Sequence, residues 1–480
     1  LRAATARTRR LQDVTRAEYI VRDSKQLEEE ERGSAARANA RTRKAASVAA
    51  AVRVRKSSAM DSDKKEPDYS VFGHVLSHSP ELTELILSYM SCRQLCICAQ
   101  VCTLWDSTAK RLKSKRSKFL HCFETLNRKR KACTHGEPSR DVCGDTSKSF
   151  LQSLRDAWSE PRHALIIGTH HMYRYLDAPE KTSKCCSFRA ENWNNAAERL
   201  ASCLPPPCYL LLGAAGGLIG MSSSGHPTEL ERGEGISGLL LPAQLPEGVR
   251  VWPFMVCKHH LRFDDHPSDW FASDNFKSLV GLPVGDETLD VKCLLWFSVN
   301  ELVFDDDEHL MYEVIDDFVA SCGARRFALG GAVLDNMTVK DGQQGIDVGG
   351  VFGGFCFSGD GVQAASMIMQ PTVRGARAVE RELTRFKKTS GFDNWDKCST
   401  MGFMFACVAR GCKLHSKSNV EADVFAQVFP GVPLMGVFGK GEIGVNYVPT
   451  EEPVAVDTRD FTCLHGYTTV FVLLCLGKCK

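Results

Sequence analysis

Between residues 79 and 90 the apolar positions Leu82, Leu85, Ile86, Tyr89 and Met90 fall at i, i+3, i+4, i+7 and i+8, one face of an α-helix. Ser79-Pro80-Glu81 supplies its start, with Ser79 as cap and Pro80 at the first helical position. A second helix reads from Leu95 through Ala99 and Cys102, with Val101 and Trp105 on an adjoining stripe. This apolar face is wider than two helices can cover, which predicts a partner surface. From residue 161 the texture changes to short apolar runs separated by Gly-rich turns. His163–Gly168, Tyr209–Gly213, Gly238–Leu241, Val291–Phe297, Gly402–Cys407 and Thr468–Leu476 read as strands, and Leu310–Ser321 and Arg374–Lys388 as helices. Strand–helix alternation implies layered α/β architecture. Thr468–Leu476 is apolar on both faces and is expected to be a central strand.

The expected fold class is α+β and multidomain: a small all-helical unit over 70–118, then a layered α/β module of two packed subdomains, 161–360 and 361–480. Ser358-Gly359-Asp360-Gly361 and the Ser390-Gly391 turn mark the division. Residues 119–160, with Arg128-Lys129-Arg130-Lys131, read as a basic linker and a weak nuclear-localisation signal. No short-period repeat is visible.

Composition changes this picture at the N-terminus. The 480 residues carry a net charge of only +2, which argues against a nucleic-acid binder held by global charge. Residues 1–59 hold a local +8, leaving −6 for the rest, and are rich in Ala and Arg with no apolar face. They are expected to be a disordered leader or a mistranslated segment preceding Met60. The longest apolar run, Thr468–Leu476, is far shorter than the roughly 20 residues that span a bilayer. The 21 cysteines in a chain without an apolar leader read as reduced thiols of the cytosol or nucleus.

Candidate chemistry is mostly negative. There is no phosphate loop, no H-E-x-x-H site and no nucleophile elbow; Gly220-Met221-Ser222-Ser223-Ser224-Gly225 misses the spacing. Cys92, Cys96, Cys98 and Cys102 lie in a helical pattern, where free cysteine acts as a small hydrophobe. Cys133, His135 and Cys143 lack a fourth zinc ligand, and Asp305-Asp306-Asp307-Glu308 lacks the spacing and Gly of a calcium loop. No metal and no cofactor is expected. Two Gly-rich segments stand out. Gly330 and Gly331, ahead of Asp335 and Asn336, and Gly439 and Gly441, ahead of Glu442, read as turns whose freed N–H groups can face a ligand or a substrate. Plain turn geometry is the simpler reading of both and outweighs the ligand-binding one.

The stretch Ser79-Pro80-Glu81-Leu82-Thr83-Glu84-Leu85-Ile86-Leu87-Ser88-Tyr89-Met90, then Leu95 and Val101-Cys102-Thr103-Leu104-Trp105, resembles an F-box. Met90 stands where that family usually has Leu, a volume-conserving swap. The resemblance implies that Pro80, Leu82, Leu85, Ile86, Tyr89, Met90, Leu95, Val101, Cys102 and Trp105 dock a Skp-type adaptor, and through it a cullin-RING ubiquitin ligase. Met401–Gly411, Asn419–Asp423, Phe429–Gly436, Gly439–Gly444 and His465–Thr469 resemble the FIST domain family in its F-box-linked form, with a weaker match over Pro227–Gly235 and Leu241-Pro242. The combination implies a non-catalytic substrate receptor of an SCF ligase that recruits protein targets for ubiquitination and proteasomal degradation. It would work in cytoplasm and nucleus and contact neither nucleic acid nor membrane. The different-class alternative is a sensor whose FIST module binds an amino-acid-like metabolite.

Overall fold

The computed structural model describes residues 79–125, 140–177, 190–222, 224–257, 291–299, 327–341, 345–348, 350–449 and 463–477. The expected leader 1–59, the helix at 310–321, Cys133, His135 and the acidic run 305–308 lie outside them. The first unit is helical: α1 (Pro80–Ser88), α2 (Cys92–Cys98) and α3 (Thr103–Ser114). Pro80 opens α1 as expected, but the Ser79 side chain makes no capping bond. Ser91 caps instead, at α2, in a reciprocal box with Gln94. The single second helix of the sequence reading is two. The backbone becomes extended at Cys102 (φ −160°), which starts α3 and leaves Val101 on the exposed connection.

Residues 119–160 are not a bare linker. They contain β1 (Leu120–Thr125) and α4 (Arg140–Arg155), and α4 buries Phe150, Leu151 and Leu154. The basic run 128–131 lies outside the described residues, and the apolar positions of α4, Phe150, Leu151 and Leu154, are too few to stand out in a basic stretch.

The body has eighteen strands among the described residues, in three six-stranded sheets. One contains β1, β6 (Gly235–Pro242), β2 (Pro161–Thr169), β3 (Tyr209–Ala215), β10 (Asn336–Asp341) and β11 (Gly345–Val348), in that spatial order. The second contains β7 (Arg250–Cys257), β12 (Gly350–Ser358), β8 (Val291–Val299), β9 (Ala328–Leu334), β16 (Glu442–Gly444) and β17 (Leu464–His465). The third contains β13 (Val362–Met369), β18 (Thr469–Leu476), β14 (Thr400–Cys407), β15 (Leu434–Gly439), β4 (Gly217–Met221) and β5 (Pro227–Leu230).

The three orders are one pattern. Each sheet takes strands one, six, two and three of a six-strand run, and its central pair, β2/β3, β8/β9 or β14/β15, is parallel. Strands four and five of each run leave as a hairpin for another sheet: β4–β5 joins β15, β10–β11 joins β3, and β16–β17 joins β9. The body is thus three repeats, 120–242, 250–358 and 362–476, closed in a ring by exchanged hairpins. This corrects the expected pair of subdomains. Residue 360 does separate the second repeat from the third, but the boundary between 242 and 250 is an equal one, and the exchanged hairpins keep any repeat from separating alone.

The inner faces of all three sheets meet in one apolar core, with Leu165, Leu211, Leu295, Phe297, Phe405, Val437 and Val472 among its members. Phe297 of the second sheet meets Phe405 of the third edge-to-face, centroids 5.8 Å apart. The outer face of the first sheet is covered by α4, α5 (His170–Asp177) and α6 (Ala190–Ala201). That of the third is covered by α7 (Ala376–Thr389) and α9 (Val420–Val428), with α8 (Cys412–His415) between β14 and α9.

Candidate functional site

Two places gather the residues singled out in the sequence. The first is the helical unit. Its small core is Leu87, Leu95, Ala109 and Leu112, with Met90, Cys98, Ala99 and Trp105 packed against it. Leu95 is therefore an interior residue, not a docking one, because α2 is only two turns long and must turn Leu95 inward to hold α3 at all. Trp105 is half-buried on the same core. Pro80, Leu82, Leu85, Tyr89, Val101 and Cys102 are exposed, and Ile86 and Met90 half-buried. Sequence reasoning missed Ile97, which is 61% exposed and lies one turn from the capping box. Its position just beyond Leu95 on α2 was the available signal. Leu82, Leu85, Tyr89, Ile97 and Val101 are five of the eight exposed large apolar side chains among the described residues, all within one short segment. A free surface seldom concentrates apolar groups in this way without a partner.

The second place is the meeting of the two Gly-rich segments. The structure brings them together: Val333 donates its N–H to Gly441 O (2.9 Å), Lys440 N–H donates to Val333 O (3.1 Å), and Glu442 lies opposite Ala332. Asp335 accepts from Lys440 Nζ at 2.8 Å and contacts His170 Nε2 at 3.2 Å. Burial pushes the Asp335 carboxyl up, but the bonds to His170 and Lys440 outweigh it and hold the group below its usual range. Asn336 folds its Oδ1 back to accept from Met337 N–H. Gly330 and Gly331 do not form a turn; they lie inside β9. A Cβ on Gly331 would sit 1.6 Å from the Trp296 carbonyl oxygen, so glycine is there for close strand packing. Gly439 ends β15, and Gly441 lies between it and β16.

Glu442 is fully buried, its Oε2 accepting from Thr468 N–H (3.0 Å) and Oγ1–H (2.9 Å), while Oε1 receives no nitrogen or oxygen donor. Burial pushes this carboxyl up to about 7. Beside it lies a buried group that the sequence did not reveal. Glu421 Oε1 accepts from Arg410 Nε (2.9 Å) and Nη2, and contacts His415 Nε2 (2.8 Å); Oε2 accepts from Thr469 Oγ1–H (2.6 Å). Hydrogen bonds from His415 and Thr469 and the charge of Arg410 overcome burial and hold Glu421 below its usual range. Arg410 also donates Nη1 to the carbonyls of Gln370 (3.3 Å) and Tyr467 (3.2 Å), so that each of its three nitrogens is engaged. This cluster braces the third sheet; with every Arg410 donor nitrogen occupied, it is not open to a ligand.

The buried carboxyls make stability depend on pH. The folded-state pKa of Glu442 lies above the unfolded one, so the folded chain holds the extra proton between them. Stability then falls as pH rises from about 4.5 to about 7, by at most about 1.4 kcal/mol for each pH unit crossed. Glu442→Gln is expected to be more stable than wild type at pH 8 by about 1–3 kcal/mol, with the gain vanishing near pH 5. Thermal melts at the two pH values check it, and an equal effect at both would contradict it. Glu421 has the opposite sign: its contribution is present at neutral pH and is lost as pH falls through its depressed folded pKa.

Among the described residues no group of three or more His, Cys, Asp and Glu is placed to hold a metal. No helix among them is long and apolar enough to cross a membrane.

Residues 76–117 match the F-box domain family, so the small helical unit is an F-box set on a multi-sheet α/β body. Beyond that domain, the chain is similar along most of its length to F-box only protein 22. The Homo sapiens protein is 28% identical over 417 residues, 85% of this chain and 95% of its own length. The Pongo abelii protein is 27% identical with the same coverage. Among solved structures, a cyanuric acid hydrolase covers 75% of this chain and 99% of its own at TM-score 0.35 and 9% identity. The A. caulinodans enzyme covers 76% and 100% at TM-score 0.32 and 9% identity. Likenesses this distant carry no reading of activity.

Proposed function

We propose that the chain is the substrate-recognition subunit of an SCF-type cullin-RING ubiquitin ligase. The F-box docks a Skp-type adaptor, and the three-repeat body, the part that resembles FIST domains, recruits protein targets for ubiquitination and degradation. The chain performs no bond chemistry; it raises the local concentration of a target lysine near the ubiquitin-loaded enzyme. The observation that carries this is the exposure of Leu82, Leu85, Tyr89, Ile97 and Val101 on an F-box whose own core is already filled. The adaptor covers that face with a hydrophobic groove of its own. Targets are held by the body's loops, with the Asp335–Lys440 junction as the candidate point of contact, since loops on a rigid scaffold carry recognition. The work is done in cytoplasm and nucleus, a reading supported by the reduced cysteines and the basic run 128–131.

Co-purification with a Skp-type adaptor tests the proposal: a stable one-to-one complex is expected, and a chain that stays monomeric beside excess adaptor would refute it. Charge reversal at the junction, Lys440→Glu, is expected to cut target capture at least about tenfold with adaptor binding intact, the scale of one lost interface contact. Capture from lysate measured alongside adaptor pull-down decides it.

A further inference from the structure

The F-box is not tethered by a flexible hinge. Arg116, two residues past the end of α3, is 6% exposed and spends its guanidinium on three backbone carbonyls. Nη1 donates to Met90 O (2.8 Å) and Trp158 O (2.9 Å), and Nη2 to Ser88 O (3.1 Å). Its Cζ lies over the Trp158 ring, 3.6 Å from the centroid. Ser88 and Met90 end α1 and flank Tyr89 of the exposed apolar face, so the cation sits at the negative end of that helix. Trp158 belongs to the strap 156–160 that leads directly into β2 of the body.

The strap makes further bonds on both sides. Cys92 N–H donates to Ala157 O (3.0 Å), Ser159 Oγ–H donates to Lys118 O (2.8 Å), and Lys113 pairs with Glu160 at 2.8 Å. On the body side, Ala243 N–H, just past β6, donates to Glu160 O at 2.7 Å. A planar cation that satisfies carbonyls on two elements at once is a geometric lock, because lysine has no fork to match them. Freely moving units need no such bond, and a buried Arg not paired to an acid is rare enough to call for a use.

We propose that Arg116 is a positioning residue: it clamps the adaptor-docking face at one fixed angle to the body, so that ubiquitin reaches a narrow set of lysines. The claim about lysines rests on the substrate-receptor reading; the clamp itself does not.

The test uses the full chain with its adaptor, as wild type, Arg116→Met and Arg116→Lys. In hydrogen exchange, the Cys92 amide, whose acceptor is the strap, is expected to exchange at least about tenfold faster in Arg116→Met, a loss of about 1.4 kcal/mol of local protection, with Arg116→Lys in between. In a reconstituted cullin-RING ligase, with the chain itself as ubiquitin acceptor, the modified lysines are expected to be few in wild type. They should spread over more of the body in Arg116→Met at unchanged adaptor affinity, a readout that mere destabilisation of the F-box would not produce. Unchanged Cys92 exchange, or an unchanged lysine pattern despite faster exchange, overturns the proposal. If Arg116→Met loses adaptor binding, the double variant Trp158→Ala, Glu160→Gln, which leaves every F-box residue in place, carries the same two readouts, and the same results support or overturn the clamp. A wild-type complex that binds adaptor but accepts no ubiquitin would count against the receptor reading and the lysine claim together, while Cys92 exchange still decides the clamp.

Discussion

Replacing Leu85 by Glu and Tyr89 by Ala lowers the affinity for a Skp-type adaptor by at least about 100-fold, two interface anchors at about 2 kcal/mol or more each with partial non-additivity. The F-box itself stays folded, because Leu85 is 54% and Tyr89 78% exposed and neither belongs to its core. Truncating exposed side chains changes stability by about 0.5 kcal/mol or less. The contrast is Leu95→Ala, which empties the core under α2 and α3 and costs about 2–5 kcal/mol of folding. Trp105→Ala belongs with Leu95: its packing on Leu87, Leu95, Ala109 and Leu112 means that lost adaptor binding would follow from a loosened F-box. Calorimetric titration separates the cases only when paired with a melt of each variant. An adaptor affinity unchanged by the Leu85, Tyr89 pair would place the interface elsewhere.

Truncation after Asp460 abolishes the fold of the body, leaving no protease-resistant fragment of the third repeat. It removes β18, which lies between β13 and β14 with all eight residues buried. Val470, Val472, Leu474 and Leu476 enter the central core, and Phe471, Leu473 and Cys475 the core under α7 and α9. Seven apolar side chains at about 1.5–3 kcal/mol each come to about 10–21 kcal/mol, as much as the whole margin of about 5–15 kcal/mol by which domains are stable. The loss also strips Thr468 from Glu442 and Thr469 from Glu421. Because β4–β5 of the first repeat hangs on β15, the damage spreads round the ring rather than stopping at one sheet edge. Limited proteolysis of the truncated chain checks this; a resistant body with targets still captured would show β18 to be peripheral.

How far the sequence shows this fold depends on the range of the interaction. Runs buried on both faces, such as Ala164–Ile167, Leu294–Phe297 and Val470–Leu474, announce themselves as strands because length and β-branched or aromatic content suffice. The three-repeat closure was invisible. Its exchanged hairpins end in strands as short as Leu464–His465 and Pro227–Leu230, and the other strand of each hairpin pairs with a strand of a different repeat, which no local pattern signals. The Gly330-Gly331 pair looked like a turn because glycine signals both bends and close backbone approach, and only the Trp296 carbonyl distinguishes them. At the F-box, period alone placed Leu82, Leu85 and Tyr89 on one face. The F-box resemblance added Leu95 to the docking set, and the apolar stripe of the second helix does not say which of its edges faces inward until α2 and α3 separate at Cys102. Arg116 hid in a basic run where its neighbours Lys115 and Lys118 are exposed, and nothing in composition separates a buried guanidinium from a solvated one.

In the proposed function one chain joins an adaptor-docking F-box to a target-holding body. The most direct measurement is ubiquitin-remnant profiling of cells expressing the wild-type chain or the Leu85→Glu, Tyr89→Ala variant, with body-bound proteins captured in parallel. Both chains are expected to capture the same proteins, and those proteins to carry ubiquitin and turn over only with the wild type. Captured proteins equally ubiquitinated and equally short-lived with both chains would contradict it.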